Sequence, residues 1–167
     1  MPTTLTHLQV ELDAPEQLTT LLDAKVSASW PPGEYDRDAM LFFRDCLEKG
    51  GEEVVGWYGW YAIRAADAQG PRALVGAGGY FGPATNDGTV EIGYSVLPEW
   101  RRRGYASELV QALVANAFTF AHVQRVIAHT TQTNIASLGV LRRCGFQAAG
   151  SGAEPGHLRF VLTAAAP

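Results

Sequence analysis

The sequence predicts a mixed α/β fold with about six to seven strands and about four helices. The central observation is the stretch 90–96, Val-Glu-Ile-Gly-Tyr-Ser-Val, in which larger apolar residues alternate with small or charged ones, as in a strand. From Tyr105 the period changes, because Leu109, Leu113 and Ala117 recur at four-residue steps, which is typical of an amphipathic helix. Strand and helix signals alternate along the rest of the chain, and this succession predicts the fold class.

The N-terminal region is predicted to contain one strand and two helices. Residues 5–12 indicate a first strand, and the stretch 13–16, Asp-Ala-Pro-Glu, has the cap, early proline and acidic residue of a helix start. The helix that follows is expected to reach Val26. A second helix is predicted over about 36–48, capped by Asp36 and ended by two glycines.

The middle of the chain is predicted to consist of strands. Residues 54–64 form an aromatic strand and residues 73–81 a glycine-rich one. The stretch 86–88, Asn-Asp-Gly, is a hairpin signal that leads into the central strand.

After a helix of about 104–120, the pattern predicts one more helix and three strands. The strands cover 125–131, 146–149 and about 157–163, and Asn134 caps the helix. The predicted order is therefore β-α-α-β-β-β-α-β-α-β-β, in a single domain over residues 1–167.

Composition excludes several classes of protein. Apolar residues make up 47%, which is typical of a globular domain, and the net charge of −4 argues against nucleic acid or an anionic membrane as a partner. The two cysteines indicate neither a disulfide framework nor a metal site. Because no apolar run is long enough for a membrane span and no signal peptide is evident, we expect a cytoplasmic protein.

The junction between the central strand and the next helix predicts a phosphate-binding site. The first turn of a helix carries free N–H groups and partial positive charge. Arg101, Arg102 and Arg103 add cationic side chains there, and Gly104 lets a ligand approach the backbone. We therefore expect this junction to hold a phosphorylated cofactor.

Two other interpretations of basic and glycine-rich segments are weaker. The glycines at 76, 78 and 79 lack the spacing of a dinucleotide fingerprint, and no helix follows them. The three arginines would suit an RNA-contacting patch, but the apolar strand before them and the negative net charge argue against it.

The element order and two motifs resemble the GNAT superfamily of acetyl-CoA-dependent N-acetyltransferases. The first motif is Arg101-x-x-Gly104-x-Ala106 at the start of the central helix. The second, over 134–146, is Asn-x-x-Ser-x-x-Val-Leu-x-x-x-Gly-Phe. The serine at its fourth position and the stretch 91–94, Glu-Ile-Gly-Tyr, resemble the RimJ/RimL-like branch. The resemblance is clear over about 73–149 and weak over the first 60 residues.

This resemblance implies a mostly antiparallel central sheet that splays in the middle, with helices on both faces. It implies that acetyl-CoA binds as a cosubstrate, without a metal. The pyrophosphate would sit on the N–H groups of about Arg102 to Ala106, including Tyr105. The pantetheine arm would pair with the central strand near Val96, and the backbone N–H near Val96 or Leu97 would bind the thioester oxygen. Asn134 and Ser137 would also contact the cofactor.

Amine acetylation needs a base and benefits from an acid. Glu91 is the predicted general base, acting directly or through a water, with a charge at the strand surface or a structural pair with an arginine as the alternative. Many relatives carry a tyrosine acid seven residues after the motif asparagine, but that position is Leu141 here. Ser137 is the candidate acid, with cofactor or helix contact as the alternative. We interpret His129, on the fifth predicted strand, as a hydrogen-bonded structural histidine, with an approach to the substrate as the alternative.

The predicted function is transfer of acetyl to a primary amine, either a protein N-terminus or a small-molecule amine. The alternative is a non-catalytic acyl-CoA-binding sensor or scaffold, which the missing tyrosine keeps open. Trp30 and Tyr35 are expected on the acceptor side. The sequence does not identify the acceptor and leaves the oligomeric state open, a homodimer included.

Overall fold

The computed structural model of the chain describes residues 1–68, 70–152 and 154–164. Within these residues it contains five α-helices and six strands. The helices are α1 (Leu5–Asp13), α2 (Leu18–Leu22), α3 (Arg37–Gly50), α4 (Tyr105–Ala117) and α5 (Ile135–Arg143). The strands are β1 (Gly59–Arg64), β2 (Ala73–Tyr80), β3 (Thr89–Val96), β4 (Arg125–Thr131), β5 (Gln147–Ser151) and β6 (His157–Thr163).

The strands form one open, mostly antiparallel sheet in the order β1-β2-β3-β4-β6-β5. β1 pairs antiparallel with β2, and β6 pairs antiparallel with both β4 and β5. β3 and β4 pair in parallel, in a described register that runs from Thr89 opposite Arg125 to Glu91 opposite Ile127. This arrangement confirms the predicted fold class.

The main error of the sequence prediction lies at the N-terminus, where residues 5–12 are helical and not a strand. Thr4 caps α1, because its side chain accepts from the His7 N–H while His7 Nδ1 accepts from the Thr4 N–H. The buried positions, Leu8, Glu11 and Leu12, have helical spacing. The alternation of Leu8, Val10 and Leu12 predicted a strand. Leu8 and Leu12 are also part of the buried helical stripe, so the same residues fit both patterns.

The next helix is also shorter than predicted. A turn of 3₁₀ helix covers Pro15–Gln17, and α2 ends at Leu22, where Asp23 adopts a left-handed conformation with φ of 46°. Val26 therefore lies outside it. The stretch 51–54 is 3₁₀ helix, so β1 begins at Gly59 and not at 54. The predicted helix over 36–48 and its Asp36 cap are confirmed by α3.

The chain divides into two compact units. The first contains 1–79 and 94–105, and the second contains 80–93 and 106–167. The core of the first unit is one cluster of buried residues from α1, α2, α3, β1 and β2: Leu8, Leu12, Leu18, Leu22, Ala24, Tyr35, Met40, Phe43, Leu47, Tyr61, Leu74 and Ala77. In the second unit the inward sides of β3, β4, β6, α4 and α5 are buried, among them Ile92, Leu113, Val126, Leu141 and Phe160.

Candidate functional site

The backbone between β3 and α4 contains a short 3₁₀ turn and two left-handed residues. A 3₁₀ turn, Pro98–Trp100, follows β3, and α4 begins at Tyr105. Between them two residues have left-handed backbones, Arg102 with φ of 62° and Gly104 with φ of 94°. Glycine adopts this conformation without strain, whereas a residue with a side chain does so rarely. The loop thus turns sharply into a helix N-terminus.

The three arginines of this loop differ in their surroundings. Arg101 donates from Nε to the carbonyl of Val96 at 3.2 Å. The guanidinium carbon of Arg103 lies 5.0 Å from the centre of the Trp100 ring, and that of Arg64 lies 5.6 Å from the same centre. These are cation–π distances. Trp100 and Arg64 were not singled out from the sequence, because Arg64 is distant in the chain and a tryptophan beside arginines carries no specific signal.

The end of β3 is tightly held by β2. Val96 and Leu97 are buried, and the Leu97 N–H donates to the carbonyl of Val75 at 3.0 Å. A Cβ on Gly76 would lie 2.6 Å from the carbonyl oxygen of Ser95, so this close approach requires glycine. The Leu97 N–H is thus engaged within the sheet.

In the second unit, Glu91 is paired with His129. Oε1 of Glu91 lies 2.7 Å from Nδ1 of His129. Glu91 is opposite Ile127 on β4, and His129 lies two residues further along that strand, so both side chains occupy the same face. The Glu91 side chain is 35% exposed and that of His129 is 21% exposed. The carboxylate is therefore the more accessible member of the pair.

Asn134 and Ser137 form a separate group at the start of α5. Oδ1 of Asn134 accepts from the Ser137 N–H at 3.0 Å and caps the helix, as predicted. Leu141, at the position where relatives carry a tyrosine, is fully buried. An apolar, buried side chain there cannot serve as an acid.

Sequence reasoning missed a buried carboxylate in the first unit, Glu11. Its Oε1 accepts from Trp30 Nε1 at 2.6 Å, and its Oε2 accepts from the hydroxyls of Tyr35, at 2.8 Å, and Tyr61. Burial raises the pKa of Glu11, and the three donors oppose that shift. The false strand assignment concealed this residue, since a helical reading would have placed Glu11 beside Leu8 and Leu12.

Glu11 anchors the segment that contains Trp30 and Tyr35. This segment approaches the central strand, because a Cβ on Gly33 would lie 2.6 Å from the hydroxyl oxygen of Ser95. Both residues were expected on the acceptor side, and their common partner Glu11 ties them to α1.

Across the described residues, no group of three or more His, Cys, Asp or Glu side chains is arranged to hold a metal ion. No helix in that part of the chain combines the length and apolar character needed to cross a membrane.

Comparison with known proteins gives a consistent family match. A family model described as an acetyltransferase (GNAT) domain matches residues 3–147. The uncharacterized N-acetyltransferase YjdG of Bacillus subtilis (strain 168) is 27% identical over 140 residues, which cover 84% of this chain and 80% of that protein.

Solved structures resemble the fold at low sequence identity. A candidate ribosomal-protein-serine acetyltransferase from Vibrio cholerae is 18% identical, with a TM-score of 0.64 and coverage of 98% of this chain and 92% of that one. The aminoglycoside acetyltransferase AAC(6')-Ib in complex with coenzyme A is 16% identical, with a TM-score of 0.63 and the same coverage.

Proposed function

This chain belongs to the GNAT acetyltransferase family, and on that premise we propose that it transfers acetyl from acetyl-CoA to a primary amine with Glu91 as the general base. Family membership makes it an acyltransferase enzyme, and acetyl transfer to an amine is the general reaction. The acceptor in this proposal is a protein N-terminus or a small-molecule amine. The whole chain would act as one acetyltransferase domain, since the family match extends over 3–147.

The observation that carries the proposal is the loop before α4. Its left-handed Arg102 and Gly104 direct the chain into a helix whose first N–H groups have no intrahelical acceptor. These groups, from Arg102 through Tyr105 to Ala106, would bind the pyrophosphate of acetyl-CoA. Arg101 and Arg103, held by Val96 and Trp100, would supply positive charge from fixed positions.

The remaining cofactor contacts in this proposal follow the two motifs. Val96 would align the pantetheine arm and thioester, with Leu97 as a buried support beside it. Asn134 and Ser137 would contact the cofactor from the start of α5. Acetyl-CoA supplies the activated acetyl group. The residues of the chain bind acetyl-CoA and remove the proton of the amine.

Glu91 is proposed as the base because its carboxylate is accessible and is held in place by His129. An ammonium acceptor must lose a proton before its nitrogen can attack the thioester. Ser137 is proposed as the group that assists departure of the thiolate, since the buried Leu141 cannot. A cytoplasmic location, the lack of a nucleic-acid or membrane partner, and a homodimer stay predictions.

The test is an acetyl-transfer screen over a panel of primary amines, with release of free CoA as the readout. Thermal unfolding with acetyl-CoA runs in parallel, because a ligand at 100 times its Kd stabilises a protein by about 2.7 kcal/mol. We expect both stabilisation and amine-dependent CoA release. Stabilisation without release for any amine would favour the non-catalytic sensor, and no stabilisation by saturating acetyl-CoA would overturn both readings.

A further inference from the structure

The pair formed by Glu91 and His129 carries an inference about how the base works. At 2.7 Å a hydrogen must lie between Nδ1 of His129 and Oε1 of Glu91, since two lone pairs would repel each other at this distance. An ionised carboxylate only accepts hydrogen bonds. The proton of a neutral His129 therefore resides on Nδ1, and Nε2 carries the lone pair.

The two side chains are not equally accessible. Glu91 is the more exposed of the two, and the contact with His129 uses only its Oε1. One edge of the imidazole is closed by the segment after β5, because a Cβ on Gly152 would lie 2.9 Å from Cδ2 of His129. His129 thus contacts Glu91 through Oε1, and Oε2 of the more exposed carboxylate lies outside this contact.

We propose that His129 is a positioning residue for the reaction, which fixes the Glu91 carboxylate through Nδ1–H so that Oε2 takes the proton of the acceptor ammonium. This inference rests on the proposed function. In the step, the N–H bond of the ammonium breaks, an O–H bond forms at Oε2, and the electron pair stays on nitrogen for attack on the thioester. The Nδ1–H bond of His129 is kept throughout, and the proton on Glu91 passes to solvent afterwards.

Protonation of the imidazole would weaken this base. A ring that carries a positive charge still donates from Nδ1, but it stabilises the ionised carboxylate and makes it a poorer proton acceptor. Other groups near His129 are Arg159, which is its direct partner on β6, and His157, which contacts the position of Gly152 and lies 3.7 Å from Glu154. Control variants must therefore distinguish the effect of His129 on the pH dependence of the reaction from the effects of these other groups.

The substitutions that test this role are His129→Asn and His129→Gln. The amide nitrogen of asparagine can take the place of Nδ1 and donate to Glu91 without titrating, whereas that of glutamine lies one bond further out. We expect His129→Asn to keep kcat/KM within about threefold of the wild type at pH 8, and His129→Gln to lower it by about 10–100-fold, because a displacement of about 1 Å at a reacting group can cost about 10²-fold. The dissociation constant of acetyl-CoA should not change in either variant.

The pH profile is the readout that a purely structural histidine would not change. The ratio of kcat/KM for His129→Asn to that of the wild type should rise as the pH falls from 8 to 5.5, because asparagine cannot take up a proton. His157→Asn is the matched control and should give a constant ratio. A flat ratio for His129→Asn, or equal kcat/KM for His129→Asn and His129→Gln, would overturn the positioning role while leaving acetyl transfer intact.

Nitrogen NMR of the imidazole in the free protein gives a measurement that does not depend on turnover. At pH 8 we expect a protonated Nδ1 and an unprotonated Nε2 for His129, and loss of this preference in Glu91→Ala. The opposite tautomer would overturn the inference even if the enzyme is active. Failure of the wild type to release CoA with any amine would instead overturn the proposed function, and the role of His129 with it.

Discussion

The indole nitrogen of Trp30 donates a 2.6 Å hydrogen bond to Oε1 of Glu11, a side chain that is 5% exposed. Tyr35 and Tyr61 donate to the other oxygen of the same carboxylate. A single acidic residue on α1 therefore holds Trp30, Tyr35, which lies two residues before α3, and Tyr61 of β1. Since the same loop contacts Ser95 through Gly33, the position of the loop beside the central strand depends on Glu11.

Removal of this carboxylate should destabilise the protein. Glu11→Ala leaves three donors in a largely buried site without their acceptor, and each such group costs about 1–3 kcal/mol. We expect the free energy of unfolding to fall by about 3 kcal/mol or more in urea titrations. Glu16→Ala, at an exposed position of the neighbouring 3₁₀ turn, should change it by no more than about 0.5 kcal/mol. Equal effects of the two substitutions would contradict the anchoring role.

The same residue predicts a pH dependence of stability. Burial raises the pKa of Glu11 above its ordinary value of 4.5, so the folded protein binds this proton more tightly than the unfolded chain does. The contribution of Glu11 to stability is fully present below pH 4.5 and is lost as the pH rises through the folded pKa. Glu11→Gln, which cannot ionise, should lack this loss. If the difference in unfolding free energy between Glu11→Gln and the wild type is constant from pH 4 upward, the prediction is wrong.

His7 predicts a pH dependence of opposite sign. Its Nδ1 accepts from the Thr4 N–H at 3.0 Å, and burial lowers its pKa from the ordinary value of 6.5. The folded state therefore binds this proton less tightly than the unfolded chain, and stability is lost as the pH falls through 6.5. His7→Gln keeps an acceptor suited to the capping box and does not titrate. We expect the stability of His7→Gln in thermal unfolding to match that of the wild type at pH 8 and to exceed it at pH 5.5. An equal difference in stability at the two pH values would contradict this prediction.

The sequence predicted most of the fold because the periodic signals from 73 onward are strong and local. The predictions of a helix cap at Asn134 and of a strand over 125–131 depend only on neighbouring residues. The structure confirms both. The first 60 residues were harder, because a short helix and a strand share apolar positions such as Leu8 and Leu12.

The candidate site was predictable only in part, since its side-chain partners come from distant parts of the chain. The sequence indicated Glu91 and His129 separately, but not that they pair, because the register of β3 against β4 decides this. Likewise, no local pattern places Arg64 over Trp100, 36 residues away from it in the chain. The periodicity of a sequence therefore does not predict which polar side chains from distant parts of the chain contact each other.

Substitution at the glycine before α4 should abolish cofactor binding. Gly104→Glu introduces a negative charge at the proposed pyrophosphate site and forces a side chain onto a backbone with φ of 94°. We expect no stabilisation by acetyl-CoA in thermal unfolding. Gly51→Glu is the matched control, because Gly51 also has a positive φ, of 63°, and no atom lies within 4 Å of a Cβ built there. The two variants should suffer similar backbone strain, so loss of acetyl-CoA binding in both would show that strain and not the site is responsible.

Replacement of the proposed base should separate binding from turnover. Glu91→Gln keeps an oxygen that accepts from His129 Nδ1–H and removes the ability to take a proton at neutral pH. We expect kcat to fall by about 10²–10⁴-fold, the range that a general base contributes, while the Kd of acetyl-CoA stays near the wild-type value. Glu53→Gln, at an exposed position, controls for the loss of one negative charge. If Glu91→Gln turns over like Glu53→Gln, then Glu91 is not the base, and its contact with His129 serves only to hold β3 against β4.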